Sequence, residues 1–422
     1  MKRSCLVLTA VVTATMLAAC GGSHFAPSTP ASAPLAARAH SSASTYQLLY
    51  SFKGTPDGAS PLAGLIAVHG KLYGTTLNGS KNYCSGSCGS NDCYLGCGTV
   101  FSVDSSGKER VVYNFDGNFN DAQDGSWPFA GLTEFNGTLY GTTGGGGLGD
   151  GTVYTVTTSG KESVVYRFTG GSDAEIPEAN LTVVKGALYG TTVYGGGSEC
   201  GGAGCGTVFS ISAAGKESVL YSFAGGSDGA RLYSGVTYFH GKLYGATLEG
   251  GSGCGTTGCG TIYEVSLSGK HRVLHSFGGT SDGAYPNGLT AAGGVLYGTT
   301  EGGGARSSGT FFSMTKSGKL QTLYSFKDIP DGNLPGANLL YLNGNFYSTT
   351  VGGGTDGVGT AYEISKTGSE SVLYSFAGGT DGSAPQAPVV AFKNALYSTT
   401  YKGGGTGCTS GTGCGTIFSV TP

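Results

Sequence analysis

Leu49-Tyr50-Ser51-Phe52, then Asp57-Gly58, then Leu72-Tyr73-Gly74-Thr75-Thr76, then Gly98-Thr99-Val100-Phe101: these four stretches decide the fold, because the chain repeats them seven times in the same order. The Tyr-x-Phe mark ends at Phe52, Phe115, Phe168, Phe223, Phe277, Phe326 and Phe376, with His275 in the tyrosine place of the fifth copy. The turn aspartate recurs at Asp57, Asp124, Asp173, Asp228, Asp282, Asp331 and Asp381, with Ala174 after the third where the others have Gly. The Leu/Phe-Tyr mark recurs at Tyr73, Tyr140, Tyr189, Tyr244, Tyr297, Tyr347 and Tyr397. The closing Gly-Thr recurs at Thr99, Thr152, Thr207, Thr261, Thr310, Thr360 and Thr416. Self-similarity at this period means a repeat architecture.

Each unit reads as four short strands with turn residues between them and no helical periodicity. In the first copy the strands are expected at residues 64–69, 71–76, 98–103 and 108–115. His69-Gly70, Asn136-Gly137 and Asn343-Gly344 suit two-residue hairpins between the first two strands. Ser106-Gly107 and Ser159-Gly160 do the same between the last two. One four-stranded sheet cannot bury both of its faces, whereas sheets packed radially bury each other. The expected fold is therefore all-β, a seven-bladed β-propeller with four antiparallel strands per blade. The chain opens on a lone fourth-type strand, residues 46–52, and closes on a third-type strand, residues 415–420, so the N-terminal strand is expected to complete the last blade. An open β-solenoid would leave that strand uncovered.

Composition agrees with a turn-rich ordered fold. Glycine is 81 of 422 residues, against about 7% in an average protein. There is no strict triplet period for collagen, and 38% hydrophobic residues are enough for a core. Charged residues are only 12%, with 23 basic against 26 acidic, so no basic field for nucleic acid exists.

Residues 1–19 read as a secretory signal, with Lys2 and Arg3 before an apolar run too short to span a bilayer. The run ends in Leu17-Ala18-Ala19-Cys20-Gly21, which resembles the lipobox of bacterial lipoproteins. That resemblance implies lipidation of Cys20, a membrane partner through the lipid, and outer-membrane residence because Gly21 rather than Asp follows. Residues 20–45 are then the lipidated cysteine and a flexible Ser/Ala/Pro tether, and 46–422 the propeller. The repeat motifs themselves resemble the GloVer (Gloeobacter/Verrucomicrobia) tandem repeats, which occur in exported bacterial proteins with varied surface anchors. That resemblance supplies no established activity.

Ten cysteines remain after Cys5 and Cys20, and an even number in an exported protein reads as disulfides. Bridges are expected at Cys200–Cys205, Cys254–Cys259 and Cys408–Cys414, with two more of open pairing among Cys84, Cys88, Cys93 and Cys97. Four thiolates also suit zinc, but oxidising export and imperfect spacing favour disulfides, and no metal or cofactor is expected.

The tight hairpins share one rim, so the Asp-Gly connections and the Cys/Gly loops emerge at the other, which is the expected binding surface. Residues common to all seven units serve the blade, so the aspartate ring reads as structural, each carboxylate accepting backbone N–H groups of its own turn. Departures from the repeat are better site candidates. The residue before the Pro that follows Asp-Gly varies, and here stand Trp127 and Tyr285, with Arg231 the aligned residue where Leu232 replaces Pro, side chains suited to stack on a sugar or anchor a protein. Packing over neighbouring strands is the alternative role. Asp173, Glu175 and Glu178 form the one acidic cluster. No nucleophile elbow, His-based metal motif or phosphate loop stands in a suitable context. The expected function is a non-catalytic binding module for a glycan or protein, with a polysaccharide lyase or hydrolase as the alternative.

Overall fold

The computed structural model describes residues 44–82, 96–117, 124–405, 408 and 412–422. Blade 1 pairs Ile66–Val68, Lys71–Thr76, Thr99–Val103 and Glu109–Asn114 in that order, and the next five blades repeat it. The seventh joins Val390–Phe392, Ala395–Thr400 and Thr416–Val420 to the N-terminal strand Tyr46–Ser51, Tyr46 lying opposite Val420. The expected closure is therefore present, and an open solenoid is excluded. First strands of neighbouring blades touch each other around the ring and so form its inner wall. In blade 1 the first strand is shorter than the expected 64–69, because the residues before Ile66 belong to the connection.

Three repeated devices explain the motifs. The two threonines pair through their hydroxyls in every blade, as Thr76 with Thr99 and Thr400 with Thr416, at 2.7–2.9 Å. The first of each pair also donates to the carbonyl two residues on, which fixes where the loop leaves the second strand. Secondly, the third and fourth strands slip register just before the Tyr/His of every blade, as between Val100 and Phe101 in blade 1. Such bulges re-aim the following side chains. The ring two residues before each conserved Phe stands edge-on to it, as Tyr113 does to Phe115.

The third device holds the connection between blades. Each turn aspartate accepts from its own blade-end ring: Tyr50, Tyr113, Tyr166, Tyr221, Tyr324 and Tyr374 donate through their phenols, and His275 stands 3.2 Å from Asp282. Each carboxylate also accepts a backbone N–H from the residue after the conserved Phe. The aspartate ring is structural, and His275 is a tyrosine replacement within it.

Seven hydrophobic clusters fill the seven spaces between adjacent blades, so the core is a ring rather than a centre. Near the inner wall, threonines donate across blade boundaries: Thr133 to Leu181, Thr182 to Val236, Thr237 to Leu289, Thr290 to Leu339 and, closing the circle, Thr399 to Ala63. On the outer flank, the first residue of a fourth strand meets the Tyr–Asp pair of the blade before. In four blades that residue is Glu109, Glu162, Glu217 or Glu370, each with a buried Oε1 lacking a hydrogen-bond partner. Asp57 stands against Glu109, and Asp331 against Glu370, and each aspartate favours the protonated form of its glutamate. Burial first, then the charge of Asp57 or Asp124, pushes Glu109 and Glu162 up to about 8; burial and Asp173 push Glu217 to about 7. In the fourth blade His271 takes this place, its Nδ1 3.3 Å from Asp228.

Candidate binding face

The Asp-Gly connection pairs with the loop leaving the second strand in every blade: Ala59 with Asn78, Gly125 with Gly146, Ala174 with Gly195, Ala230 with Glu249, Ala284 with Gly302, Gly332 with Gly353 and Ser383 with Lys402. Both loop families therefore share one rim, as the hairpin placement requires. Cys200–Cys205, Cys254–Cys259 and Cys408–Cys414 are bridged there. Cys97 is also disulfide-bonded, while Cys84, Cys88 and Cys93 lie outside the described residues, as do Cys20 and residues 118–123. The bridges fit an extracytoplasmic protein.

The variable residue of each connection has one backbone conformation throughout. Ser60, Trp127, Ile176, Arg231, Tyr285, Leu334 and Ala384 all sit at φ between 51° and 64°. Their N–H groups donate across the blade boundary, to the carbonyls of Cys414, Cys97, Asp150, Cys205, Cys259, Ser308 and Val358. The next residue, Pro in six blades and Leu232 in one, lies over the glycine of the preceding blade's Gly-Thr. A Cβ on Gly98 would stand 2.5 Å from Pro128, and one on Gly206 2.8 Å from Leu232. That close approach is why the Gly-Thr glycine has no substitute. The residue before Pro is the reverse case: its left-handed φ costs a non-glycine residue roughly 1–2 kcal/mol, yet no blade uses glycine there.

The structure brings Arg231 and Glu175 into one electrostatic neighbourhood on blades 3 and 4, and Tyr233 links Glu178 to it. The Arg231 guanidinium lies 4.0 Å from the centre of the Tyr194 ring and 3.8 Å from Glu249, and its Nη1 is buried with no hydrogen-bond partner. Glu175 stands opposite Tyr194 in a two-residue ladder. Burial and the Asp150 charge raise the Glu175 carboxyl, with Arg231 acting against them. Burial alone pushes Glu178 up to about 8, and the Tyr233 phenol is raised by its own burial and by the Glu178 charge. Asp173 is not part of this group's free chemistry, because it accepts from Tyr166 and Thr169. Trp127 and Tyr285 lie on blades 2 and 5, half-buried against the clusters between blades 1 and 2 and between blades 4 and 5. Sequence reasoning missed Tyr194, Tyr233, Glu249 and Asp150. Tyr233 had a signal, since it adjoins the one connection that lacks proline. Among the described residues, no group of three or more His, Cys, Asp or Glu side chains is placed to hold a metal ion.

Seven four-stranded blades closed by the N-terminal strand, with a loop-rich rim, define a seven-bladed β-propeller of tandem repeats. The chain belongs to the Gloeobacter/Verrucomicrobia repeat family, whose model matches residues 34–203 and 198–418. No curated protein matches it in sequence. Among solved structures it resembles virginiamycin B lyase from Staphylococcus aureus, with a TM-score of 0.56 and 13% identity over 90% of this chain and 99% of that one. It also resembles puromycin hydrolase, with a TM-score of 0.50 and 12% identity over 82% of this chain and 50% of that one. At such identities the likeness is one of fold.

Proposed function

We propose that the protein is an outer-membrane lipoprotein, held through Cys20 and a Ser/Ala/Pro tether, whose propeller binds a glycan or protein ligand without catalysis at its loop-rich rim. The observation that carries this reading is the ring of left-handed, non-glycine residues at the variable position. Glycine would relieve the backbone at all seven, so the large side chains among them are retained for what they contact. Trp127, Tyr285 and Arg231 are the large members, and large aromatic and Arg side chains are the usual anchors of recognition surfaces. Glu175 borders Arg231 and supplies a hydroxyl acceptor, and Glu178, in the same connection as Glu175, lies beside Tyr233. The test is a glycan array and a surface-protein pull-down with residues 44–422, the ring being complete without the tether. Binding that Arg231→Ala or Trp127→Ala weakens at least ten-fold supports the reading; two blank screens overturn it.

A polysaccharide lyase or hydrolase is the second reading. What favours it is the half-buried Glu178, pushed up to about 8 and so able to donate a proton at neutral pH. Unchanged turnover of a degraded polysaccharide in Glu175→Gln and Glu178→Gln removes these residues as its acid and base.

A further inference from the structure

The two rims of the ring carry opposite charge, a segregation that the chain-wide balance of 23 basic against 26 acidic residues conceals. The turn between the third and fourth strands ends on Gly-Lys in five blades, at Lys108, Lys161, Lys216, Lys270 and Lys319, and all five lysines are exposed. Lys71, Lys185 and Lys393 add exposed ammonium groups from the turns between the first two strands, and Lys316 adds another from the turn of Lys319. None of these lysines is in an ion pair among the described residues. Carboxylates at this rim are few and engaged. Asp104 accepts from the N–H groups of Ser106 and Lys108, and Glu134 from that of Gly137. Glu109, Glu162 and Glu217, each next to a turn lysine, bury an oxygen in the blade boundaries, where burial raises their carboxyl groups. The loop-rich rim is the reverse. Among the described residues its cations are Lys53, Lys81, Lys327 and Lys402 with Arg167, Arg231 and Arg306, against the seven turn aspartates together with Asp150, Glu175, Glu199, Glu249 and Glu301.

The N-terminal strand enters the ring from the lysine side. Tyr46 lies opposite Val420, as Glu109 lies opposite Val103 in blade 1. One residue earlier, Thr45 takes the place of Lys108: its carbonyl accepts the Thr421 N–H at 3.1 Å, as the Lys108 carbonyl accepts that of Asp104 at 3.2 Å. Ser44 donates its hydroxyl to the Leu373 carbonyl of blade 6, so the chain is already held to the ring at this level. Residues 1–43 therefore join the propeller at the rim that carries the lysines. Third strands of five or six residues in every blade bring the turns to one level. Ammonium groups spread around a ring at one level converge on no pocket; they match an extended sheet of negative charge, as acidic headgroups provide.

We infer that the hairpin rim docks on an anionic bilayer, its lysines against the phosphate groups of acidic phospholipids, and that the loop-rich rim faces away from the membrane. The inference deepens the tethered reading by giving the propeller its orientation, and rests on that reading for the presence of a bilayer beside this rim. A coil from Cys20 to Ser44 has an r.m.s. reach of about 25–30 Å, which lets the rim meet the surface without the chain wrapping a blade. Nucleic acid offers phosphate as well, but the tether puts a bilayer and not a nucleic acid against the lysines.

Co-sedimentation of residues 44–422 with vesicles of equimolar phosphatidylglycerol and phosphatidylethanolamine and, separately, of phosphatidylcholine tests it. The expected result is partition into the acidic vesicles at least ten-fold stronger than into the neutral ones at about 0.1 M salt, and a loss of at least ten-fold towards about 1 M, where the screening length shortens from about 10 to about 3 Å. Lys161→Gln, Lys216→Gln, Lys270→Gln and Lys319→Gln combined should weaken acidic-vesicle binding at least ten-fold. Lys53→Gln, Lys81→Gln, Lys327→Gln and Lys402→Gln combined remove the same charge from the other rim and should change it by no more than about two-fold. All eight lysines are exposed, and an unchanged melting temperature confirms that both variants fold. Equal binding of neutral vesicles, binding indifferent to salt, or equal losses in the two quadruple variants overturns the inference. Tighter binding of duplex DNA than of acidic vesicles at equal phosphate concentration would assign the rim to nucleic acid and overturn it too. The assay contains neither lipid anchor nor rim ligand, so its result is independent of whether Trp127, Arg231 and Tyr285 bind a glycan or protein.

Discussion

The His275 imidazole stands 3.2 Å from the Asp282 carboxylate, in the place where six other blades put a tyrosine phenol on the equivalent aspartate. A histidine beside a carboxylate resembles catalytic apparatus, but the six copies identify it as a blade-end clamp. His275→Tyr is therefore expected to leave ligand binding unchanged and to hold or raise the melting temperature. Asp331→Ala, which strips three donors of their acceptor, is expected to cost about 2–3 kcal/mol in chemical denaturation.

The glutamates at blade boundaries make stability depend on pH. Unfolded, they lose their protons near the ordinary glutamate value of about 4.3. Folded, Glu109 and Glu162 keep them to about 8, and Glu217 to about 7. The folded chain thus holds more protons across this window, so the contribution is complete below it and is lost as pH rises towards 8. Melting temperature is expected to fall between pH 5 and pH 8. The quadruple variant Glu109→Gln, Glu162→Gln, Glu217→Gln, Glu370→Gln should show a flatter profile, measured by thermal scans across that range. An equal slope in the variant would show that other groups set the dependence.

The bridge between Cys254 and Cys259 closes a loop of five residues, and on the chain-entropy model such a loop contributes about 2 kcal/mol. Replacing both cysteines by serine should lower stability by no more than that and leave the strand content unchanged in circular dichroism. The greater effect should be local, as faster amide exchange in residues 250–260.

The N-terminal strand supplies the outer edge of blade 7, and Tyr46 stacks on Tyr374 of blade 6 with ring centres 3.9 Å apart. Deleting residues 1–52 should therefore open the ring, exposing the edge of Thr416–Val420 and giving aggregation in size-exclusion chromatography. A monomeric, cooperatively melting deletion would contradict closure.

Much of this was legible because the repeat acts as its own control. Strand order, closure, the aspartate ring and three disulfides follow from which residues recur and which are paired locally. Contacts between blades were not legible. Glu109 meets Asp57, and Glu370 meets Asp331, across dozens of residues that no short-range pattern connects. Arg231 reaches Tyr194 in the same way. The left-handed residues were hidden for a different reason: a residue before proline is biased towards extended backbone. Backbone hydrogen bonds to other segments hold it otherwise, from Trp127 N–H to the Cys97 carbonyl and from Gly144 N–H to the Trp127 carbonyl.

The central claim is that the variable rim positions are kept for their side chains at the expense of backbone strain. Simultaneous Trp127→Gly, Arg231→Gly and Tyr285→Gly substitution tests it most directly, read by calorimetric affinity for a ligand found in the array or pull-down, with Ser60→Gly and Ala384→Gly measured as backbone controls. The account predicts that the controls are neutral or more stable by about 1 kcal/mol each with binding intact, while the triple variant still folds as a closed ring and loses at least ten-fold in affinity. Unchanged affinity in a folded triple variant would contradict it.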